Sequence, residues 1–385
     1  MEFDLTWLLL GLPLVFAMGW LASRMDLRQL RAENRQAPKA YFKGLNYLLN
    51  EQQDQAIDAF IEAVQKDPDT SELHFALGNL FRRRGEYDRA VRVHQHLLSR
   101  SDLSRVDRDR AQYELAMDFL KAGLLDRAEE ALHKLEGSVF EQQARIALLA
   151  SCERSRDWPT AATVAQKLEN SQPGVFSSRL AHYQCEQALS LAAQGQIDEA
   201  IAMLRGAAQL SPQSARARIE LAKLFQTQGK LDQAYRALAD VLASCPAASP
   251  LVAGTLAQLA IDTQQVQPTL DQLQSLYDQS AALDILDAIV RLTQETDAPE
   301  SAARNHYVQH LARETSLVAA SRWIAGEKLE HEQFHPQVQR ALDAAVKPLL
   351  RYRCAACGFE ASQHFWQCPG CQGWDTYPAR RVEEL

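Results

Sequence analysis

The sequence predicts an all-α fold: a tetratricopeptide-repeat superhelix that follows one N-terminal transmembrane helix and ends in a small metal ribbon. Three observations predict it. There is an uncharged apolar run near the start, a small-residue period of about 34 residues through the middle, and two C-x-x-C pairs near the end. The composition agrees, since 46% of the 385 residues are hydrophobic and 23% charged, which excludes disorder. Only 16 residues are Gly and 14 Pro, a balance that suits stacked helices better than sheets. The 49 acidic and 41 basic residues leave a net charge of -8, so no overall field attracts a polyanion and no nucleic-acid partner is expected.

Leu5 to Ala22 is an 18-residue run without charge, just long enough to cross a hydrocarbon core at about 1.5 Å per residue. Trp7 and Trp20 lie near its ends, where interfacial aromatics belong, and Pro13 is tolerated in membrane helices. A cleaved secretory signal needs a basic segment ahead of the run, but Glu2 and Asp4 stand there. Residues 1–22 are therefore expected to be an uncleaved transmembrane anchor. Residues 23–36 form a basic juxtamembrane segment. Arg24, Arg28, Arg31, Arg35, Lys39 and Lys43 hold this end in the cytoplasm, and the first five recur at helical spacing as one stripe that suits anionic headgroups.

Aligning on a small residue places Ala56, Ala90, Ala128, Ala161, Ala200 and Ala234 at intervals of 34, 38, 33, 39 and 34 residues, the tetratricopeptide period with small insertions. One helical hairpin cannot bury its apolar face alone, so small residues let neighbours approach and large ones such as Phe60 and Phe81 fill the gap. Gly85, Gly123, Gly195 and Gly229 fall between the two helices of a unit, where a C′ residue often adopts a positive φ. Residues 37–248 read as six such repeats. From 249 to 350 helical periodicity continues while the signature blurs, giving degenerate helical repeats. The first helix of each hairpin lines the concave side of such arrays. That places Asn79, Arg82, Arg83, Arg110, Tyr113 and Lys121 in a possible partner groove, suited to an acidic or carboxylate-bearing segment, with a solvated helix face as the alternative.

Cys354 and Cys357 form one C-x-x-C pair, and Cys368 and Cys371 another ten residues on; four thiolates so spaced close a tetrahedral site on a short ribbon. Tetrahedral sulfur selects zinc or iron, and a cytoplasmic compartment keeps the thiols reduced. All four positions are ligands, so none is open to substrate. Phe359, Phe365, Trp366 and Trp374 are expected to cluster around the site, and Cys152, Cys185 and Cys245 to be buried free thiols. His331-Glu332-Gln333-Phe334-His335 matches the H-E-x-x-H of zinc proteases, but Pro336 disfavours α geometry at His335. No phosphate loop, dinucleotide fingerprint or nucleophile elbow occurs either, so no catalytic residue is assigned and the chain reads as a non-enzyme.

The anchor, the array with Gly78-Asn79-Leu80-Phe81-Arg82 and Arg84-Gly85-Glu86, and the tail Arg351-Tyr352-Arg353-Cys354 through Trp366-Gln367-Cys368-Pro369 together resemble the lipopolysaccharide assembly protein B family along essentially the whole chain. The resemblance implies that residues 351–385 are a rubredoxin-type metal domain docked on the helices, with iron as the usual metal and zinc as the alternative. It implies an inner-membrane, single-pass protein with its body on the cytoplasmic side, which restrains lipopolysaccharide synthesis. It would do so by presenting the lipid A-committing deacetylase to the membrane protease FtsH, opposed by an inner-membrane regulator, and could coordinate lipopolysaccharide assembly proteins. A rubredoxin-like redox carrier on a helical-repeat scaffold is the competing reading.

Overall fold

A computed structural model describes residues 16–18, 20, 42–66, 70–296, 299–327 and 332–385. The chain divides into two compact units, Met1–Asp157 and Trp158–Leu385. The predicted anchor at 1–22 lies outside the described residues apart from Phe16–Met18 and Trp20, which are helical and exposed, and so does the basic segment 23–36. Among the described residues no single helix is long and apolar enough to cross a membrane.

Unit 1 contains α1 (residues 42–49), α2 (Gln53–Lys66), α3 (Ser71–Arg84), α4 (Tyr87–Ser99), α5 (Arg105–Ala122), α6 (Leu125–His133) and α7 (Glu141–Ser155). Unit 2 contains α8 (Trp158–Ser171), α9 (Ser177–Ala193), α10 (Ile197–Leu210), α11 (Arg216–Thr227), α12 (Leu231–Ser244), α13 (Ser249–Asp262) and α14 (Val266–Gln279). After these come α15 (Leu283–Gln294), α16 (Glu300–Arg313), α17 (Leu317–Ala325) and α18 (His335–Val346), then β1 (Tyr352–Arg353) and β2 (Glu360–Ala361).

The repeat rests on one recurring turn. Gly85, Gly123, Gly195 and Gly229 take φ between +71° and +85°, and Glu51, Arg156 and Gln264 take the same left-handed conformation without being glycine. At each of the seven, the next residue's N–H reaches back to a carbonyl in the last turn of the preceding helix. Gln52 bonds Tyr47, Glu86 bonds Phe81, Leu124 bonds Phe119, Asp157 bonds Cys152, Gln196 bonds Leu191, Lys230 bonds Phe225 and Gln265 bonds Ala260, all at 2.7–3.0 Å. This Schellman closure satisfies an orphan carbonyl and reverses the chain. Five residues after each turn sits the small residue: Ala56, Ala90, Ala128, Ala161, Ala200 and Ala234 are all 0% exposed.

The seventh turn, at Gln264, lies in the stretch where the sequence signature blurs. Its small residue is Thr269, also 0% exposed. The Thr269 hydroxyl donates to the Gln265 carbonyl at 2.7 Å and pairs with the Tyr235 hydroxyl at 2.9 Å, so a polar group fills the close crossing that alanine fills elsewhere.

Close approach is measurable in unit 1. A Cβ added to Gly44 would lie 2.8 Å from the Phe60 ring, and one added to Gly78 would lie 2.5 Å from Nε2 of His94, which is fully buried. Gly78→Ala is therefore expected to destabilise unit 1 by about 1–3 kcal/mol through overpacking, read as a lower urea midpoint of the full chain. An unchanged midpoint would mean that the His94 ring can shift at little cost.

Candidate metal centre

The ribbon begins as a two-stranded antiparallel pair, Tyr352 opposite Ala361 and Arg353 opposite Glu360, with a further bridge between Gln367 and Trp374. Each C-x-x-C pair occupies a knuckle of the same design. The Cys354 N–H donates to the Phe359 carbonyl at 2.9 Å and the Cys368 N–H to that of Gly373 at 2.8 Å; Gly358 and Gln372 donate back to Cys354 and Cys368 at 2.9 and 2.8 Å. The residue after the second cysteine is left-handed in both, Gly358 at φ +77° and Gln372 at φ +61°. A Cβ at Gly373 would lie 2.8 Å from the Thr376 methyl, so Thr376 would have to shift to admit one.

These turns bring four sulfur atoms within 4.8 Å of one another. Cys354 Sγ lies 3.8 Å from Cys371 Sγ, and Cys357 Sγ 3.6 Å from Cys368 Sγ. One cysteine of each knuckle is buried (Cys354, Cys368) and one exposed (Cys357, Cys371). Four soft donors with no carboxylate or imidazole among them form a tetrahedral metal-binding site. The three cysteines elsewhere are buried. Burial pushes the Cys152 thiol up to about 11 and that of Cys185 to about 12, so neither is a reactive thiolate at neutral pH.

The aromatic residues around the site divide differently from the sequence expectation. Tyr352 and Tyr377 pack with Cys354 and Cys368 as the ribbon's core, joined by Phe365, whereas Phe359 is 43% exposed. Trp374 turns outward onto the helices. It stacks on the His182 ring at 4.7 Å and meets Trp158 and Tyr183 edge-on at 6.1 and 5.9 Å, with the Arg216 guanidinium 5.7 Å from its ring centre. Beside it Asp375 pairs with His182 Nε2 at 2.8 Å and accepts from the Ser178 hydroxyl at 2.8 Å. Burial raises the Asp375 carboxyl, but the His182 and Ser178 hydrogen bonds and the charges of His182 and Arg216 outweigh it and hold the group below the usual carboxylate range.

The segment after the ribbon fastens it a second time. Arg381 makes two 2.8 Å bonds to Asp284 on α15 and lies 4.2 Å over the Tyr352 ring. The Glu383 carboxylate accepts from the Leu317 and Val318 N–H groups at 2.6 and 3.1 Å, and Glu384 accepts from the Leu283 N–H at 2.8 Å. Two acidic side chains thereby cap α17 and α15, where the helix dipole favours negative charge. The ribbon and its extension contact α9, α11, α13, α15 and α17, and also Trp158 at the start of α8. The first four of these are the first helices of successive pairs. His182, Asp284 and Ser178 carry no metal-ligand spacing, so sequence reasoning did not find them; the run Arg380-Arg381-Val382-Glu383-Glu384 directly after a metal ribbon was the available signal.

A family model described as a rubredoxin metal-binding domain, of the zinc-ribbon type, matches residues 352–377, and tetratricopeptide-repeat models match residues 43–95 and 191–266. Lipopolysaccharide assembly protein B of Escherichia coli strain K12 is 31% identical over 98% of this chain and 99% of its own length. The chain belongs to the lipopolysaccharide assembly protein B family. A second relative of that name, from Haemophilus influenzae, is 28% identical over 96% of each chain. Family membership agrees with a mostly helical tetratricopeptide body that carries a metal ribbon.

The six residues assigned to a partner groove lie in unit 1 and do not act alike. Arg82 bonds Asp118 at 3.0 Å, Glu114 at 2.6 Å and the Asn79 side chain at 2.5 Å, and Asp118 also pairs with buried His94 at 2.5 Å. Arg82 and Asn79 thus belong to a network that ties α3 to α5. Arg110 pairs with Glu72 at 2.6 Å and lies 4.1 Å over the Phe75 ring, and Tyr113 stacks on Phe140 at 5.7 Å. Arg83 and Lys121 are exposed and make no ion pair among the described residues. In the H-E-x-x-H segment, His331 lies outside the described residues, and His335 opens α18 with Nε2 3.1 Å from the Ile324 carbonyl.

Cys354→Ser or Cys368→Ser is expected to abolish metal binding and unfold the ribbon, read as loss of bound metal and of the near-ultraviolet signal from stacked Trp374. Asp375→Ala is expected to keep the metal but destabilise the docked ribbon by about 1–3 kcal/mol, because buried His182 loses its partner. Equal loss of metal in Asp375→Ala would show that the site and the docking surface fold as one.

Proposed function

We propose that this chain is a single-pass inner-membrane adaptor with its body in the cytoplasm, which regulates lipopolysaccharide biosynthesis by presenting the lipid A-committing deacetylase to the membrane protease FtsH. The observation that carries this reading is the end-to-end match to lipopolysaccharide assembly protein B. The uncharged run at 5–22, followed by a basic stripe, supports membrane attachment with this orientation. An inner-membrane regulator of lipopolysaccharide synthesis would act on the same adaptor.

The physical logic is proximity. An adaptor held at the membrane raises the effective concentration of a soluble client near a membrane protease without needing tight contacts to either. In unit 1, exposed Arg83 and Lys121 would meet carboxylates of the client, while Asn79, Arg82, Arg110 and Tyr113 hold the helices that present them. The four-cysteine site would act structurally, since its ligands are complete and its ribbon is fastened to the helices on two sides. Four thiolates suit zinc and iron alike. Elemental analysis and the visible absorption of a ferric four-thiolate centre separate them.

The test is the half-life of the deacetylase in cells with and without this chain, at a fixed level of FtsH. A several-fold longer half-life on depletion is expected, restored by the intact chain and not by a form lacking residues 1–22. An unchanged half-life would shift the weight to assembly scaffolding.

A further inference from the structure

Within unit 2 a cleft of about 270 Å3 opens between the ribbon and the helices beneath it. Its floor comes from one face of α11, with Ile219, Ala222, Lys223 and Gln226 at helical spacing, and from Leu251, Val252 and Thr255 of α13. The opposite wall is aromatic and belongs to the ribbon: Tyr352, His364 and Trp366. His364 meets Trp366 edge-on at 4.8 Å and Tyr352 at 5.6 Å, and its Nε2 lies 3.1 Å from the Tyr377 carbonyl, so this wall is braced from behind.

We propose that this cleft is a binding site for a polypeptide segment of a partner, taking a large apolar side chain that neighbours a carboxylate. The volume, close to the lower end of the about 300–1,000 Å3 typical of ligand pockets, gives room for a large side chain and part of its backbone. Ile219, Ala222, Leu251 and Val252 give the otherwise polar floor an aliphatic strip facing the aromatic wall, which suits one apolar side chain, and rigid aromatic walls are where single anchor residues bind best. The rim cation, which shares its charge with the buried Glu220 carboxylate, points to the neighbour. Lys223 is the one Lys, Arg, Asp or Glu on the lining, and it stands at the rim with its side chain 60% exposed. It donates to Glu220 at 2.9 Å, and an ammonium has two further donors for an incoming carboxylate. Gln226 and Thr255 add polar groups at the same rim, enough to hold a peptide backbone.

The cleft exists only where ribbon and helices meet, so its occupancy is linked to the metal. The aromatic wall is positioned by the knuckles, and without the four-cysteine site folded the cleft loses that side. Binding here is therefore conditional on a metal-loaded ribbon in a way that the open helix faces of unit 1 are not.

This inference rests on the adaptor reading only in taking the ligand to be a polypeptide, and its test uses the purified chain without deacetylase or protease. The probe is the tripeptide N-acetyl-Glu-Phe-Glu-amide, titrated by saturation-transfer NMR against the metal-loaded chain. The expected result is saturable binding that weakens at least tenfold in Thr255→Trp, which fills the cleft from an exposed position. It should weaken several-fold in Lys223→Gln or with the Gln-Phe-Gln analogue, and disappear when metal is removed under reducing conditions. Metal content and melting temperature of both variants should match the parent. Two variants at exposed positions keep the outcome readable if one fails to fold. Binding that ignores both variants and metal removal, no binding at all, or octanoate binding the cleft more tightly than the peptide would each overturn the proposal. None of these outcomes touches the half-life test of the adaptor reading.

Discussion

A ribbon of about 35 residues buries too little apolar surface to hold its own fold, so the cross-link through Cys354, Cys357, Cys368 and Cys371 fixes everything the ribbon does. The two knuckles set the direction of Trp374 and Asp375 toward α9. They also set the path of the chain that delivers Arg381, Glu383 and Glu384 to α15 and α17. The metal site thus acts on the helices at a distance, by holding a rigid brace whose ends reach three separate helices.

The helical body relies on a different constraint, repeated at each turn. A left-handed residue closes one helix, and five positions later a fully buried small residue lets the next helix pass close by. The alanine period was legible in the sequence because alanine is the cheapest solution to a close crossing. The crossing at Thr269 was not, because there the packing requirement is met by a hydroxyl with two partners, and a threonine on a helix has no distinctive pattern. Glycine likewise marked four of the turns, while Glu51, Arg156 and Gln264 adopt the same conformation at some backbone cost and left no trace in composition.

The metal site was legible for a different reason: metal ligation fixes residue type and spacing together, so four cysteines in two C-x-x-C pairs admit few readings. Docking is less demanding. Any aromatic, carboxylate and cation can brace a ribbon, and the choice of Trp374 on His182 or Arg381 on Asp284 becomes visible only when residues far apart in sequence are brought together. The same holds for unit 1. Its cationic residues were visible on α3 and α5, but which of them are matched internally depends on carboxylates of the other helix, Glu114 and Asp118 for Arg82 and Glu72 for Arg110.

The separation between the partners at the ribbon has a further consequence. His182 and Asp375 are 193 positions apart, and Leu283 and Glu384 are 101 apart. On a ribosome, α9 leaves the exit tunnel long before the residues that cover it have been translated, so the faces of His182, Tyr183 and Arg216 spend that interval without their aromatic cover. The body can stack pair by pair as it emerges, through local contacts that form quickly, but its final brace waits for the thiolates and their ion. Until the ribbon closes around its four cysteines, the side chains of His182, Tyr183 and Arg216 are the part of the helical face that lacks its cover.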